Sequence, residues 1–252
     1  MIMTHCFTVE LKKHRRMHMW LIPAGFLAVL FFWAMFSHKN TDAYDLAQGY
    51  TNLFFQLPML NCILMPLMLS VIASRLCDME IKGETLKLIL TLEEKGCFYD
   101  LKFIHECMYL FAFVLGEGGI MLLCGRLYHY TETLSLSLLL RHLALTFLVG
   151  AVVLGLQHFL SLLSHNQILP LLTGLAGSFL GLFSLYFPPV VARLILWGYF
   201  GAFLPYGMNW DRAAKQTSYY PVAFPAVTFV CFVLFGILLY LLCRWIFIKK
   251  EV

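Results

Sequence analysis

Apolar residues run along this chain in long unbroken blocks, and most of the polar residues are crowded into the gaps between them. A helix needs about 20 apolar residues to cross a hydrocarbon layer of about 30 Å. Six blocks are read as spans on that basis: Met19 to Phe36, Leu53 to Ala73, Phe103 to Cys124, Leu138 to Leu163, Ile168 to Phe187 and Ala223 to Ile248. The blocks are continuous rather than alternating, so helices are expected and a β-barrel is not. A seventh block, Val190 to Leu204, follows Pro188-Pro189, contains Arg193 and is closed by Pro205. Proline at both ends limits it to a helix of about 15 residues. It is read as a re-entrant or surface-lying element before the last helix, with Trp197, Tyr199, Tyr206 and Trp210 as interfacial aromatics. A seventh full span is the alternative, and it would move the C-terminus to the other side.

One polar stretch stands out, Ser74 to Lys102, reading SRLCDMEIKGETLKLILTLEEKGCFYDLK. It holds Arg75, Asp78, Glu80, Lys82, Glu84, Lys87, Glu93, Glu94, Lys95, Asp100 and Lys102. Within it, Leu86, Ile89 and Leu90 fall at helical spacing, Glu84 and Lys87 lie on the other side, and Gly83 and Gly96 bracket the segment. The residues alone leave two readings open, a short amphipathic helix that fills a groove in a soluble partner, or an ordinary solvated loop.

Composition agrees with a lipid solvent. The chain has 252 residues, of which 61% are hydrophobic and 13% charged, and its mean hydropathy is +0.78. The charged share is about half that of a soluble domain. The basic segment Lys12 to Arg16 precedes the first block, and no small-x-small cleavage site follows it, so that block is read as a span and not a removed signal. Twelve of the 18 Lys and Arg residues then fall on the side of the polar stretch and both termini, which the positive-inside rule makes cytoplasmic. The lead-in Val9 to His18 is read as a positive-inside anchor, with an interfacial helix as the alternative. Most of the eight cysteines lie in apolar runs or the polar stretch, and none has a metal-type pair spacing, so neither a disulfide framework nor a metal site is expected.

Catalytic apparatus is not expected either. His105-Glu106 lacks the second His of a zinc-protease helix, His142 and His158 are read as satisfied buried histidines, and no phosphate-cradling glycine loop occurs. Glu117, inside LGEGG at Leu115 to Gly119, is the intramembrane exception. A carboxylate at that depth is costly and marks a candidate functional site. It could meet a cationic substrate, carry a proton, or be a hydrogen-bonded packing group beside Gly116, Gly118 and Gly119.

The pattern resembles the membrane subunit of an ABC-2-type transporter over nearly the whole chain. The local match is ASRLCDME at Ala73 to Glu80, followed by KGETLKLIL at Lys82 to Leu90. Such permeases often carry, after the second span, an acidic residue, then Gly-Thr or Gly-x-Thr, then a leucine-rich coupling helix. Here Glu80, Gly83, Thr85 and Leu86 fill those places. The length of about 250 residues, the lack of a fused ATPase and the proline-containing segment before the last helix are most similar to lantibiotic-immunity permeases. Bacitracin-type resistance permeases and small-substrate ABC-2 exporters share the outline.

The resemblance implies an all-α membrane protein with six transmembrane helices, a cytoplasmic coupling helix and a re-entrant element. It implies one transmembrane domain over residues 1–252 with no nucleotide-binding domain, set in the bacterial plasma membrane. The coupling helix would be formed by Glu80, Gly83, Glu84, Thr85, Leu86, Lys87, Ile89 and Leu90, seated on a cytoplasmic ATPase dimer, with Glu93 and Glu94 beside it. ATP and Mg would be held by that partner and no cofactor by this chain. A second permease chain, membrane lipid and an expelled antimicrobial peptide complete the implied partners, with no nucleic acid, and Glu117 is the implied contact for a cationic peptide. The rival classes are a membrane-embedded enzyme, for which His105, Glu106 and His158 are the only loose candidates, and a scaffold or sensor whose polar stretch docks a regulator.

Overall fold

The computed structural model describes residues 17–37, 42–83, 91, 94–212 and 216–250. Its elements, in order, are α1 (Leu21–Ser37), α2 (Ala43–Leu46), α3 (Gly49–Lys82), α4 (Lys95–Leu127), α5 (Leu136–Leu163), α6 (Ile168–Ser184), α7 (Pro189–Ala192), a 3-10 turn (Leu196–Gly198), α8 (Tyr199–Ala202), β1 (Tyr206–Asp211), β2 (Gln216–Pro221) and α9 (Ala226–Lys249). The six predicted blocks all fall on long helices. Their reach differs from expectation. Among the described residues, α3, α4, α5 and α9 are long and apolar enough to cross a membrane. Helices α1 and α6 have 17 residues each, a rise of about 25 Å, which is short of a full hydrocarbon layer.

Helix α3 is the axis of the bundle. It packs on α6, α5, α4 and α1, and its buried Leu53, Leu57, Met65, Met68, Leu69 and Ile72 form the centre of the main core. Two prolines sit inside it, Pro58 and Pro66. Each removes a helical hydrogen bond and frees the carbonyl four residues earlier, which a transmembrane helix tolerates when a neighbour covers the gap. Pro66 frees the Cys62 carbonyl. At that level α6 presents Gly181, where an added Cβ would lie 2.6 Å from Cys62 O and 3.0 Å from Trp197 O. Only a residue without a side chain allows this approach.

The polar stretch is not a loop over most of its length. Ser74 to Lys82 continues α3, Gly83 caps it, and Lys95 to Lys102 opens α4. The apolar count stopped at Ala73 because charged residues begin there, but backbone hydrogen bonding does not stop with hydropathy. The proposed docking residues Glu84, Thr85, Leu86, Lys87, Ile89 and Leu90 lie outside the described residues, as do Glu93 and the lead-in up to Arg16.

The seventh block is broken into α7, the 3-10 turn and α8, none longer than four residues, so it makes no span. After it comes an antiparallel hairpin, unforeseen from hydropathy, pairing Tyr206 with Pro221 through Asp211 with Gln216. Its short strands carry Tyr, Trp, Thr and Met in a segment with neither a long apolar run nor a helical period.

Candidate functional site

Helix α4 carries two buried carboxylates, Glu106 and Glu117, three turns apart and so on one face. That face meets α3 and α5, and each carboxylate finds a histidine there. Glu117 Oε1 accepts from Asn61 Nδ2 of α3 at 2.9 Å and lies 3.0 Å from His142 Nε2 of α5. Glu106 Oε1 lies 2.9 Å from His158 Nδ1 of α5 and 3.9 Å from the Cys77 thiol of α3. Both carboxylates are fully buried. Each keeps its second oxygen, Oε2, without a hydrogen-bond partner among the described residues. Two polar trios therefore pin the same three helices at two depths. Burying a charge without partners costs several kcal/mol, which is why each carboxylate is met from two sides.

The trios differ in their surroundings. At the Glu117 level, His142 borders a narrow cleft of about 20 Å³ that Arg141, Tyr199 and Phe203 also line, room for about one water molecule. Of the glycines around Glu117, Gly116 lies under Leu27 of α1 and Gly118 near Leu143 of α5, while a side chain at Gly119 would meet nothing. At the Glu106 level, the Tyr99 ring stands edge-on to His158 at 4.5 Å, and the Tyr99 hydroxyl and His158 Nε2 are buried without hydrogen-bond partners among the described residues.

One turn from Glu106, Lys102 Nζ donates to Glu80 Oε1 at 3.2 Å and to the Leu76 carbonyl at 3.1 Å, with both side chains almost wholly buried. Glu80 thus faces into the α3–α4 contact and not outward. At the rim, Arg244 of α9 grips Asp100 with two nitrogens, Nε at 2.8 Å and Nη2 at 2.9 Å, and Tyr240 donates to the same carboxylate at 2.7 Å. Gly96 makes room for this, since a Cβ there would lie 2.5 Å from Arg244 Nη2. Lys95 Nζ donates to the Lys250 carbonyl at 2.8 Å. The helical ends on either side of residues 84–90 are thereby tied to each other and to the basic end of α9.

At the opposite end, Glu132 accepts from Thr51 Oγ1 at 2.6 Å and Thr51 N at 3.0 Å, an anion on the first turn of α3. The hairpin docks through Tyr219, whose hydroxyl donates to Asn52 Oδ1 at 2.7 Å. Burial, and then the charge of Asp45, push the Tyr219 phenol from 10.0 up to about 12, so it stays a donor throughout the physiological range. Met208, Trp210 and Tyr220 of the hairpin are exposed.

Of the residues singled out by sequence, Glu117 and His142 come together, joined by Asn61, which the sequence reading did not single out, and Glu106 and His158 also meet. His105 does not join that trio; its Nδ1 lies 2.7 Å from the Leu101 carbonyl of its own helix. Cys77 was missed, since an isolated cysteine in a polar stretch gives no spacing signal. Chemically, the trios offer proton-holding groups, and at the Glu106 level metal-binding donor types, in a setting without bulk water. The Glu80–Lys102 and Asp100–Arg244 pairs offer a rigid base for the stretch between α3 and α4.

A family profile described as ABC-2 family transporter protein matches residues 6–181, well over half of the chain and extending into α6. No curated protein and no solved structure matches.

Proposed function

Because the chain belongs to the ABC-2 family of transporter proteins, a family of multi-pass membrane components rather than enzymes in their own right, we propose that it is the permease of an ABC exporter that expels antimicrobial peptides of the lantibiotic type from the bacterial plasma membrane. A separate cytoplasmic ATPase dimer supplies the energy and holds ATP and Mg, and a second permease chain completes the membrane unit. Six helices span, with α1 and α6 doing so under local thinning of the bilayer, and both termini are cytoplasmic. The peptide assignment rests on the outline shared with lantibiotic-immunity permeases. An ABC-2 exporter of another small substrate is its nearest alternative.

One observation carries the coupling role. Helices α3 and α4 run on past their apolar cores, are joined by the buried Glu80–Lys102 pair, and are held to α9 by Asp100–Arg244. A push on residues 84–90 from a docked ATPase reaches α3, the axis of the bundle, through continuous helix. Glu84 and Lys87 are the proposed charge contacts, and Leu86, Ile89 and Leu90 the apolar ones. Glu117 meets a cationic peptide only after α5 has withdrawn His142 from it, so this conformation is closed at that level.

The test is reversal of charge, Glu84→Lys with Lys87→Glu. The variant chain is expected in the membrane at wild-type level but without its ATPase in mild-detergent purification. Undiminished co-purification would contradict the docking role.

A further inference from the structure

The trio at the Glu106 level has the composition of a metal centre. Cys77 of α3, Glu106 of α4 and His158 of α5 each bring one donor atom, and these atoms lie within 4.8 Å of one another with all three residues buried. Bond lengths of about 2.3 Å to sulfur and 2.1 Å to nitrogen and oxygen put tetrahedral ligands about 3.6 Å (sulfur to oxygen) and 3.4 Å (nitrogen to oxygen) apart. The observed separations are 3.9 Å from Cys77 Sγ to Glu106 Oε1 and 2.9 Å from His158 Nδ1 to the same oxygen. Small side-chain rotations close the difference. We propose that Cys77, Glu106 and His158 form a site for a zinc-type divalent ion, which ties α3, α4 and α5 together beside the polar stretch.

Charge favours this assignment. A thiolate and a carboxylate with a neutral imidazole carry two negative charges, so a divalent ion makes the buried cluster neutral, and the adjoining Glu80–Lys102 pair is neutral already. Binding displaces the Cys77 thiol proton, which leaves with solvent as the sulfur–metal bond forms. Satisfaction favours it as well. Glu106 Oε2 is buried without a hydrogen-bond partner among the described residues, so the carboxylate can give the same ion a second oxygen. The donor types select the ion, because thiolate and imidazole suit zinc or cobalt whereas sodium, magnesium and calcium take oxygen shells. Three protein ligands leave a fourth position open.

The test uses the full chain purified in detergent, stripped with chelator and titrated with Co²⁺, then Zn²⁺. The expected result is one equivalent bound with a thiolate-to-cobalt charge-transfer band, released protons and a raised melting temperature. Cys77→Ser should weaken binding by at least about tenfold, and His158→Asn likewise. Cys6→Ser and Cys124→Ser should keep the band, the first of these separating the site from the His5-Cys6 pair near the N-terminus. X-ray absorption of the zinc-loaded wild-type chain needs no variant and should find one sulfur with nitrogen and oxygen ligands. A folded wild-type chain that takes up no stoichiometric metal, a zinc shell of nitrogen and oxygen alone, or a band that survives Cys77→Ser would overturn the site.

Discussion

The side chains that matter most here are the charged ones kept away from solvent, because each is stable only with its partner in place. Lys102 and Glu80 are nine-tenths or more buried, and breaking such a pair from one side costs about 3–5 kcal/mol. Lys102→Ala should therefore lower the melting temperature in detergent sharply, while Lys102→Met combined with Glu80→Leu should recover most of the loss. Equal damage from the single and double variants would mean the pair is not the source. Glu117 admits a sharper division of roles. Glu117→Gln keeps an acceptor for Asn61 and so should leave thermal stability nearly unchanged. Glu117→Leu strands the Asn61 amide and His142, at about 1–3 kcal/mol for each buried group. If the carboxylate also meets a cationic peptide, Glu117→Gln loses peptide protection at unchanged stability; if both are unchanged, it is a packing group alone. The cost of a carboxylate at membrane depth made Glu117 legible from sequence. Its partners were not, since Asn61 and His142 lie 56 and 25 residues away and only the helix packing brings them together. Glu80 was read as part of a docking motif, and nothing in its spacing foretold the buried pair with Lys102.

Among elements, α3 and α6 show how close packing is achieved where lipid offers no hydrophobic drive. Gly174, Gly177, Ser178 and Gly181 line the buried side of α6. Gly181→Ala would push a methyl group against two backbone carbonyl oxygens, neither of which can rotate away, and should cost about 1–3 kcal/mol. Gly119→Ala, with nothing within 4 Å of its added carbon, is the matched control and should melt like wild type. The docked hairpin should hold at any pH below 10 and loosen between 10 and about 12. Its Tyr219 phenol is favoured in the protonated form when folded, so the unfolded chain ionises first and the contribution to stability disappears as pH rises through that window. Phenolate absorbance against pH, compared with Tyr219→Phe, checks this. Among the described residues, hydropathy located the six long helices but not their ends. It recorded where lipid contact stops, whereas α3 and α4 continue as helix through charged residues. The hairpin was illegible for a related reason, being short and half-exposed, with the aromatic content expected of an interfacial segment.

At the scale of the whole molecule the outside is as apolar as the core, and buried charged and imidazole groups are set within that core. Large apolar side chains such as Phe36, Leu194, Val227, Leu234 and Leu238 cover the outside, while Glu80, Lys102, Glu106, Glu117, His142 and His158 are inside. Water would not tolerate that surface, but lipid does. The described parts of the polar stretch, the basic end of α9 and the Glu80–Lys102 and Asp100–Arg244 pairs collect at one end, the end that the proposed function assigns to a soluble motor. The direct test is to isolate the chain from membranes of its native host in mild detergent and identify what comes with it by mass spectrometry. Our account predicts a soluble ATPase at stoichiometric level together with a second permease chain. Recovery of this chain alone, across several detergent strengths, would contradict it.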